Sequence, residues 1–156
     1  MKSIAAGDRA PDFSGADQSG RQLSLSDFRG KQTLVLFFYP ADESPICTRE
    51  ACAFRDAYQD FCDAGAVVIG VSADSMDSHQ RFADQHRLPF HLLSDRDGSL
   101  RRAFGISKTL GLLPGRVTYV IDPDGMVRHV FSSQLGADRH VQEALAVVRR
   151  IVADDD

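Results

Sequence analysis

The segment Thr33-Leu-Val-Leu-Phe-Phe-Tyr39 is an almost continuous apolar run of β-prone residues. A second run of the same kind, Ala66-Val-Val-Ile-Gly-Val71, follows it along the chain. Unbroken apolar runs of this length are typical of strands that are covered on both faces of a sheet. Both segments are therefore predicted to be central strands.

The interval between these two runs predicts a helix over residues 48–63. Its apolar side chains recur at helical spacing, at Ala51, Phe54, Tyr58, Phe61 and Cys62. A strand, a helix and a second strand form a crossover that joins two parallel strands.

Further elements follow downstream. A second helix is predicted from Met76 to His86, and a short strand from Phe90 to Leu93. Two more strands, Val117 to Ile121 and Met126 to Phe131, flank Asp122-Pro-Asp-Gly125, whose residue types favour a hairpin turn.

The chain is predicted to close with an amphipathic helix, because apolar residues recur at helical spacing from Val141 to Val152. The whole pattern predicts an α/β fold, with a central mixed β-sheet and helices on both faces. At 156 residues, without a linker or an internal repeat, residues 1–156 are predicted to form a single domain. The acidic residues 154–156 are expected to be a frayed, solvated tail, since carboxylates oppose the dipole at a helix C-terminus.

Composition excludes some classes of partner. Eighteen basic and 22 acidic residues give a formal charge of -4, and the basic pairs are short and far apart, which disfavours nucleic acid. The longest apolar stretch, Leu34 to Tyr39, is far too short to span a membrane, and the N-terminus lacks the basic-then-apolar pattern of an export signal. We expect a cytoplasmic protein without a membrane partner.

The three cysteines, Cys47, Cys52 and Cys62, do not suggest a disulfide scaffold, because their number is odd and their density is low. A disulfide formed in a reducing compartment is more often transient and catalytic than structural. Neither the cysteines nor the five histidines have zinc-ligand spacing, and no glycine-rich phosphate loop follows a strand. We expect neither a metal nor a cofactor.

Cys47 lies two residues after Pro45, where the amphipathic pattern begins, which places it in the first turn of a helix or at its cap. Unpaired N–H groups and the positive end of the helix dipole favour the thiolate there. Helix position alone leaves two interpretations open, a reactive thiol or a small buried apolar residue. Cys62, on the apolar face near the other end of the helix, is expected to be structural.

Helix geometry separates Cys52 from Cys47. On an α-helix Cys52 points about 140° away from Cys47, and their Cα atoms lie roughly 8.6 Å apart. That separation exceeds the roughly 7 Å that a disulfide tolerates without backbone movement. A bond between the two residues would require this turn of the helix to unwind.

The segment Tyr39-Pro-Ala-Asp-Glu-Ser-Pro-Ile-Cys-Thr-Arg-Glu-Ala-Cys-Ala-Phe-Arg-Asp56 resembles the active-site stretch of peroxiredoxins of the bacterioferritin comigratory protein (PrxQ) type. Pro40, Ser44 and Cys47 match the family pattern, and Cys52, five positions on, marks a subtype with a second cysteine on the same helix. Ile46 departs from the glycine that is common at this position. Other similar stretches lie between Gly7 and Asp122, so that the resemblance covers nearly the whole chain.

The resemblance implies a thioredoxin-like fold and a thiol-dependent peroxidase that reduces hydrogen peroxide and alkyl hydroperoxides. By resemblance, Cys47 is the peroxidatic cysteine, which becomes a sulfenic acid, and Cys52 is the resolving cysteine, which condenses with it to form a disulfide. A thioredoxin-like dithiol is then expected to reduce that disulfide. The subtype is often monomeric, which makes a monomer the expectation here.

Four other residues acquire candidate roles from the resemblance. For Arg116 the resemblance favours a cation that serves the thiolate and the peroxide. The alternative is a solvated arginine at a strand end. Ser44 offers a hydroxyl that both donates and accepts, and Pro40 shields the nucleophile. Glu50 leaves two interpretations open, orientation of Arg116 or complementation of the helix dipole.

Two other functions compete with the peroxidase. A thioredoxin-type thiol–disulfide exchange protein is disfavoured, because the two-residue cysteine spacing of that class is absent. A non-enzymatic redox sensor or binding module would react slowly with peroxide and would capture a partner in only one oxidation state.

Overall fold

A computed structural model describes residues 4–106, 108–109, 113–114, 116–133 and 136–155 of the chain. The described strands are β1 (Ser14–Ala16), β2 (Gln22–Ser24), β3 (Thr33–Phe38), β4 (Ala66–Ser72), β5 (His91–Ser94), β6 (Lys108–Thr109), β7 (Leu113–Pro114), β8 (Val117–Ile121) and β9 (Val127–Ser132). The described α-helices are α1 (Pro45–Asp56), α2 (Tyr58–Asp63), α3 (Met76–His86), α4 (Ser99–Ala103) and α5 (Ala137–Asp155), and a 3₁₀ turn covers Leu25–Asp27.

The main sheet has five strands in the order β5-β4-β3-β8-β9. Strands β3, β4 and β5 are parallel, whereas β8 runs antiparallel to β3, and β9 antiparallel to β8. The predicted central strands, the parallel crossover and the C-terminal hairpin are therefore confirmed. Pairs β1-β2 and β6-β7 form two small separate sheets.

Strand β3 is buried on both faces, as its unbroken apolar run predicts. Its alternating side chains divide between two cores: Val35 and Phe37 pack on one face of the sheet, and Leu34 and Leu36 on the other. Helices α1, α2, α3 and α5 cover the first face. The short helix α4 and the N-terminal region cover the second face, so that helices lie on both faces but unequally.

Gly70, in the middle of β4, allows close packing on the first face. A Cβ atom at this position would lie 2.8 Å from Cζ of Phe37 and 2.9 Å from a methyl group of Leu92. Both neighbours are fully buried and cannot withdraw into solvent. The absence of a side chain at Gly70 thus lets Phe37 of β3 and Leu92 of β5 pack over β4.

The helix predicted over residues 48–63 is wrong in its extent. Helix α1 already begins at Pro45, and Ala57 (φ -96°, ψ 3°) separates α1 from α2. Phe61 is buried as the stripe predicts, but the adjacent Cys62, about 100° further round the helix, is exposed. Cys62 therefore does not lie on the apolar face where the sequence pattern places it.

Helix α5 extends further than the sequence pattern indicates. It continues through Asp155 and so includes two of the three acidic residues expected to fray, while Asp156 lies outside the described residues. Within the described ranges, none of the helices combines the length and apolar character that crossing a bilayer requires.

Candidate active site

Cys47 occupies the first turn of α1, as its position after Pro45 predicts. Pro45 is the first helical residue, where its missing N–H costs nothing, and Ser44 caps the helix with an extended backbone (φ -68°, ψ 146°). The N–H of Cys47 donates to Oγ of Ser44 over 3.4 Å. This start aims the side chain of Cys47 at the sheet, where it is only 1% exposed.

Arg116, next to the start of β8, reaches across to α1 and joins two of its side chains. Its Nη2 donates to Sγ of Cys47 over 3.1 Å, and its Nη1 donates to Oε1 of Glu50 over 2.7 Å. Glu50 is completely buried and Arg116 is 3% exposed. Glu50 therefore pairs with the arginine, which is the first of the two roles that the sequence left open.

Burial and charge act in opposite directions within this cluster. Burial raises the pKa of Glu50 from 4.5 to about 7, although the adjacent Arg116 charge opposes the shift. Burial also disfavours the guanidinium charge, but Glu50 and Cys47 outweigh it and raise the pKa of Arg116. Arg116 is therefore a permanent cation held against a sulfur atom and a carboxyl group away from water.

His140 and Thr118 complete the buried cluster, and the sequence analysis missed both. His140 Nδ1 lies 2.7 Å from Oγ1 of Thr118 and 3.4 Å from Oε2 of Glu50, and its Nε2 lies 3.0 Å from the Ser133 carbonyl oxygen. Burial lowers the pKa of His140 to about 4. A signal for His140 exists in the sequence, because it lies one helical turn before Ala144 on the buried stripe of α5.

Ser44 and Pro40 lie in the loop that leads from β3 into α1. The Ser44 hydroxyl donates to the Ala41 carbonyl oxygen over 3.3 Å, and its oxygen also caps the helix. Pro40 follows β3 by two residues. The structure thus brings Ser44 to the backbone of Cys47, while the predicted shielding by Pro40 stays a prediction.

A buried hydrogen-bond network anchors this loop. Asp42 accepts from the Tyr39 hydroxyl over 2.6 Å and from Ser78 over 2.8 Å, and its Oδ2 lies 2.7 Å from Nδ1 of His79. Although burial disfavours its charge, these hydrogen bonds lower the pKa of Asp42. The loop before α1 is therefore tied to α3.

The same network contains the one potential metal-binding group found among the described residues. Donor atoms of Asp42, Asp74 and His79 all lie within 4.8 Å of one another. They are already hydrogen-bonded within the protein, since Asp74 accepts from the Asp42 N–H over 2.8 Å and from Ser72 over 2.6 Å. The group acts as an anchor for the loop.

Cys52 lies on α1 but outside the cluster around Arg116. It is a free, half-buried thiol, whereas Cys47 is free and buried and Cys62 is free and exposed. The structure thus keeps the two cysteines of α1 in different environments, as helix geometry predicts.

Comparisons with known proteins agree with this arrangement. The model of the AhpC/TSA family matches residues 6–130. A chloroplastic peroxiredoxin Q from Sedum lineare is 46% identical over 149 residues, which cover 95% of this chain and 80% of the relative.

Solved structures are also similar to this chain over nearly its whole length. Peroxidoxin BcpB from Mycobacterium tuberculosis superposes with a TM-score of 0.88 at 40% identity, covering 95% of this chain and 98% of the other. The bacterioferritin comigratory protein of Xanthomonas campestris superposes with a TM-score of 0.85 at 30% identity, covering 96% and 99%.

The thioredoxin-like fold and the site define a thiol-dependent peroxidase. The chain belongs to the AhpC/TSA family and, within it, to the peroxiredoxin Q or bacterioferritin comigratory protein group. The predicted family, fold class and type of enzyme are confirmed.

Proposed function

We propose that Cys47 is the peroxidatic residue of this peroxidase and that Arg116 is its principal electrostatic partner. The observation that carries the proposal is the 3.1 Å contact between Arg116 Nη2 and Cys47 Sγ at the start of α1. A buried guanidinium and a helix N-terminus together stabilise negative charge on the sulfur. The same guanidinium stabilises the negative charge that develops on the leaving oxygen.

The reaction begins with attack of the Cys47 thiolate on the terminal oxygen of the peroxide. The S–O bond forms as the O–O bond breaks, sulfur is oxidised to a sulfenic acid, and the departing oxygen takes up a proton to become water or an alcohol. In this proposal the Ser44 hydroxyl, which accepts from the Cys47 N–H, holds the peroxide, and Pro40 limits the entry of water. Glu50 orients Arg116.

Cys52 is the resolving residue in this proposal. Its thiol condenses with the Cys47 sulfenic acid, which forms the Cys47–Cys52 disulfide and releases water. A thioredoxin-like dithiol then reduces the disulfide and becomes oxidised itself. Because Cys47 is buried and Cys52 points elsewhere from the same helix, α1 must open for the bond to form.

Peptide mapping after one equivalent of hydrogen peroxide tests these roles together. We expect two of the three thiols to disappear, with Cys47 linked to Cys52, while Cys62 stays free. Cys47→Ser abolishes turnover, and Cys52→Ser consumes one equivalent of peroxide and then stops as a sulfenic acid. Full turnover of Cys52→Ser with thioredoxin would contradict the resolving role, and Cys62→Ser is the matched control.

The proposed substrates are hydrogen peroxide and alkyl hydroperoxides. Alkyl peroxide reduction is an activity of the bacterioferritin comigratory protein of Xanthomonas campestris, which supports the second of these substrates. The present Cys47 is 1% exposed, and Ile46 lies beside it. Rates measured with hydrogen peroxide and with a bulky alkyl hydroperoxide, in the chain and in Ile46→Gly, determine whether this side chain limits access.

We also propose a monomer in the cytoplasm. Among the described residues, the large hydrophobic side chains that are exposed are Met76 and Val152, a small apolar surface for a subunit interface. The three free thiols suit a reducing compartment. Sedimentation equilibrium of the reduced and oxidised protein tests the first proposal, and fractionation of the source cells tests the second.

A further inference from the structure

The second carboxyl oxygen of Glu50 distinguishes this site from a simple ion pair. Oε1 accepts from Arg116, but Oε2 is completely buried and has no hydrogen-bond partner. The nearest polar group of α5 is Nδ1 of His140, at 3.4 Å. An ionised carboxylate leaves this oxygen unsatisfied, which is costly in a buried site.

The surroundings of His140 determine what its Nδ1 can do. Nε2 faces the Ser133 carbonyl oxygen at 3.0 Å, and since a carbonyl only accepts, Nε2 carries the ring proton. Burial lowers the pKa of His140 to about 4, so that the ring is neutral at physiological pH. Nδ1 therefore presents a lone pair towards Glu50.

Two donors compete for that single lone pair. The Thr118 hydroxyl lies 2.7 Å from Nδ1 and donates to it while Glu50 is ionised. A proton on Oε2 of Glu50 is a stronger donor than a hydroxyl, and the threonine O–H is free to rotate away from the ring. Nδ1 of His140 is thus an acceptor for the Glu50 proton, and it accepts from Glu50 only while that carboxyl group is protonated.

We propose that His140 is a positioning residue of the peroxidase site: its Nδ1 accepts the proton of the Glu50 carboxyl group and so sets how much of the Arg116 charge acts on Cys47. The inference rests on the proposed roles of Cys47 and Arg116. His140 itself does not touch the reacting atoms.

The charges around Glu50 support this inference. Titratable or charged groups face it from two elements, Arg116 beside β8 and His140 on α5, and Cys47 on its own helix is linked to it through Arg116. Strand β9 contributes the uncharged ring of Phe131, which packs edge-on against His140 with ring centroids 4.7 Å apart. Burial raises the pKa of Glu50 to about 7, so the carboxyl group changes charge near physiological pH.

The consequence for the chemistry follows from charge balance. While Glu50 is neutral, no negative charge on its Oε1 competes for the Arg116 cation with the Cys47 thiolate and the developing charge on the leaving oxygen. Once Glu50 ionises, its Oε1, 2.7 Å from Arg116, offsets part of that cation. The rate constant for the reaction with peroxide is therefore expected to fall as pH rises through the titration of Glu50.

Infrared difference spectroscopy tests the hydrogen bond without reference to activity. The carbonyl stretch of a protonated buried carboxyl group is followed against pH, and its absence in Glu50→Gln assigns it. In His140→Gln the amide nitrogen retains the bond to Ser133, but the acceptor at Nδ1 is lost. We expect the midpoint, the pH at which the band has lost half its intensity, to fall by roughly one unit, which corresponds to loss of one net hydrogen bond.

Matched variants separate this role from general packing. His140→Asn keeps an acceptor oxygen near the position of Nδ1 and is expected to restore the wild-type midpoint. His129→Gln, a change of the same type on β9 where Nε2 lies 4.0 Å from Glu143, is expected to leave it unchanged. An unmoved midpoint in His140→Gln, or equal shifts in all three variants, would overturn the proposal.

Thr118→Val keeps the proposal testable if variants of His140 do not fold. Removing the hydroxyl frees Nδ1 for the Glu50 proton, so the midpoint is expected to rise. A fall, or no change, would contradict the competition between the two donors.

Single-turnover kinetics with hydrogen peroxide connect the hydrogen bond to the reaction. The descending limb of the pH–rate profile is expected to move to lower pH in His140→Gln and to disappear in Glu50→Gln, with no further effect of His140→Gln in the double variant. An equal effect of His140→Gln in both backgrounds would indicate a merely structural residue. Failure of the wild type to react would overturn the peroxidatic role of Cys47, while the infrared titration would still report on His140.

Discussion

Nη2 of Arg116 lies 3.1 Å from Sγ of Cys47, although 69 positions separate the two residues in sequence. The sheet produces this contact, because β8 pairs with β3 and thereby brings its N-terminal end to the start of α1. Nη1 of the same guanidinium is held by Glu50. The arginine is therefore fixed before any peroxide arrives, and fixed donors stabilise a transition state without reorganisation.

Replacement of the bidentate arginine is expected to slow the first step. Arg116→Lys keeps a positive charge but cannot hold Glu50 and Cys47 through two separate nitrogen atoms. We expect the second-order rate constant with hydrogen peroxide to fall by about 10²- to 10³-fold, the usual effect of losing one transition-state donor. Stopped-flow kinetics measure it, with Arg128→Lys on β9 as the control; equal effects would contradict the special role of Arg116.

Glu50 is expected to make the folded state less stable as pH rises. Its pKa is 4.5 when unshifted and about 7 in the folded protein, so the unfolded chain binds fewer protons between these values. The free energy of unfolding therefore loses roughly 3 kcal/mol across this interval. Urea unfolding of the wild type and of Glu50→Gln measures this, and the variant is expected to lack that component.

Glu143→Gln is the control for this measurement, because its side chain is 37% exposed. The stability difference between the wild type and Glu50→Gln is expected to depend on pH, whereas that for Glu143→Gln stays nearly constant. A pH-independent difference for Glu50→Gln would show that Glu50 is ionised throughout.

Oxidation is expected to unwind the part of α1 that carries Cys47 and Cys52. Roughly 8.6 Å separates Cα atoms five residues apart in an intact helix, which is more than a disulfide tolerates. Amide hydrogen exchange after one equivalent of peroxide is expected to lose protection over residues 47–54, while the amides of α5 keep theirs. Unchanged protection over residues 47–54 in protein with a mapped Cys47–Cys52 bond would refute the unwinding.

Gly70→Ala is expected to destabilise the protein by about 1–3 kcal/mol, because the new methyl group would meet Phe37 and Leu92 at less than 3.0 Å. Gly15→Ala is the matched control, since its Cβ would lie 3.7 Å from its nearest neighbour. Thermal unfolding compares the two, and equal melting temperatures would contradict the close packing.

Local sequence patterns predicted the elements that depend on local physics. The apolar runs at residues 33–39 and 66–71 became central strands, and Pro45 with the start of the amphipathic pattern placed Cys47 in the first turn of a helix. The contact between Arg116 and Cys47 came from the family resemblance, because no local pattern encodes a long-range pairing.

The rest required three-dimensional information. The break at Ala57 has no glycine or proline to mark it, so the apolar stripe suggested one uninterrupted helix and an inward-facing Cys62. His140 lies on α5, 90 positions from Glu50 in the sequence, and only the packing of α5 against α1 brings the two side chains together. The histidines were tested in the sequence only for the spacing of metal ligands. That spacing does not identify a histidine that accepts a carboxyl proton.

The break at Ala57 has a mechanical consequence. Because α1 ends there, the segment that carries Cys47 and Cys52 is a helical unit distinct from α2, whose Phe61 is buried in the core. The N-terminal side of that unit is bounded by the loop that Asp42 secures to α3. We therefore expect a rearrangement that begins at the N-terminal end of α1 to stop at Ala57, with α2 and α3 keeping their helical structure.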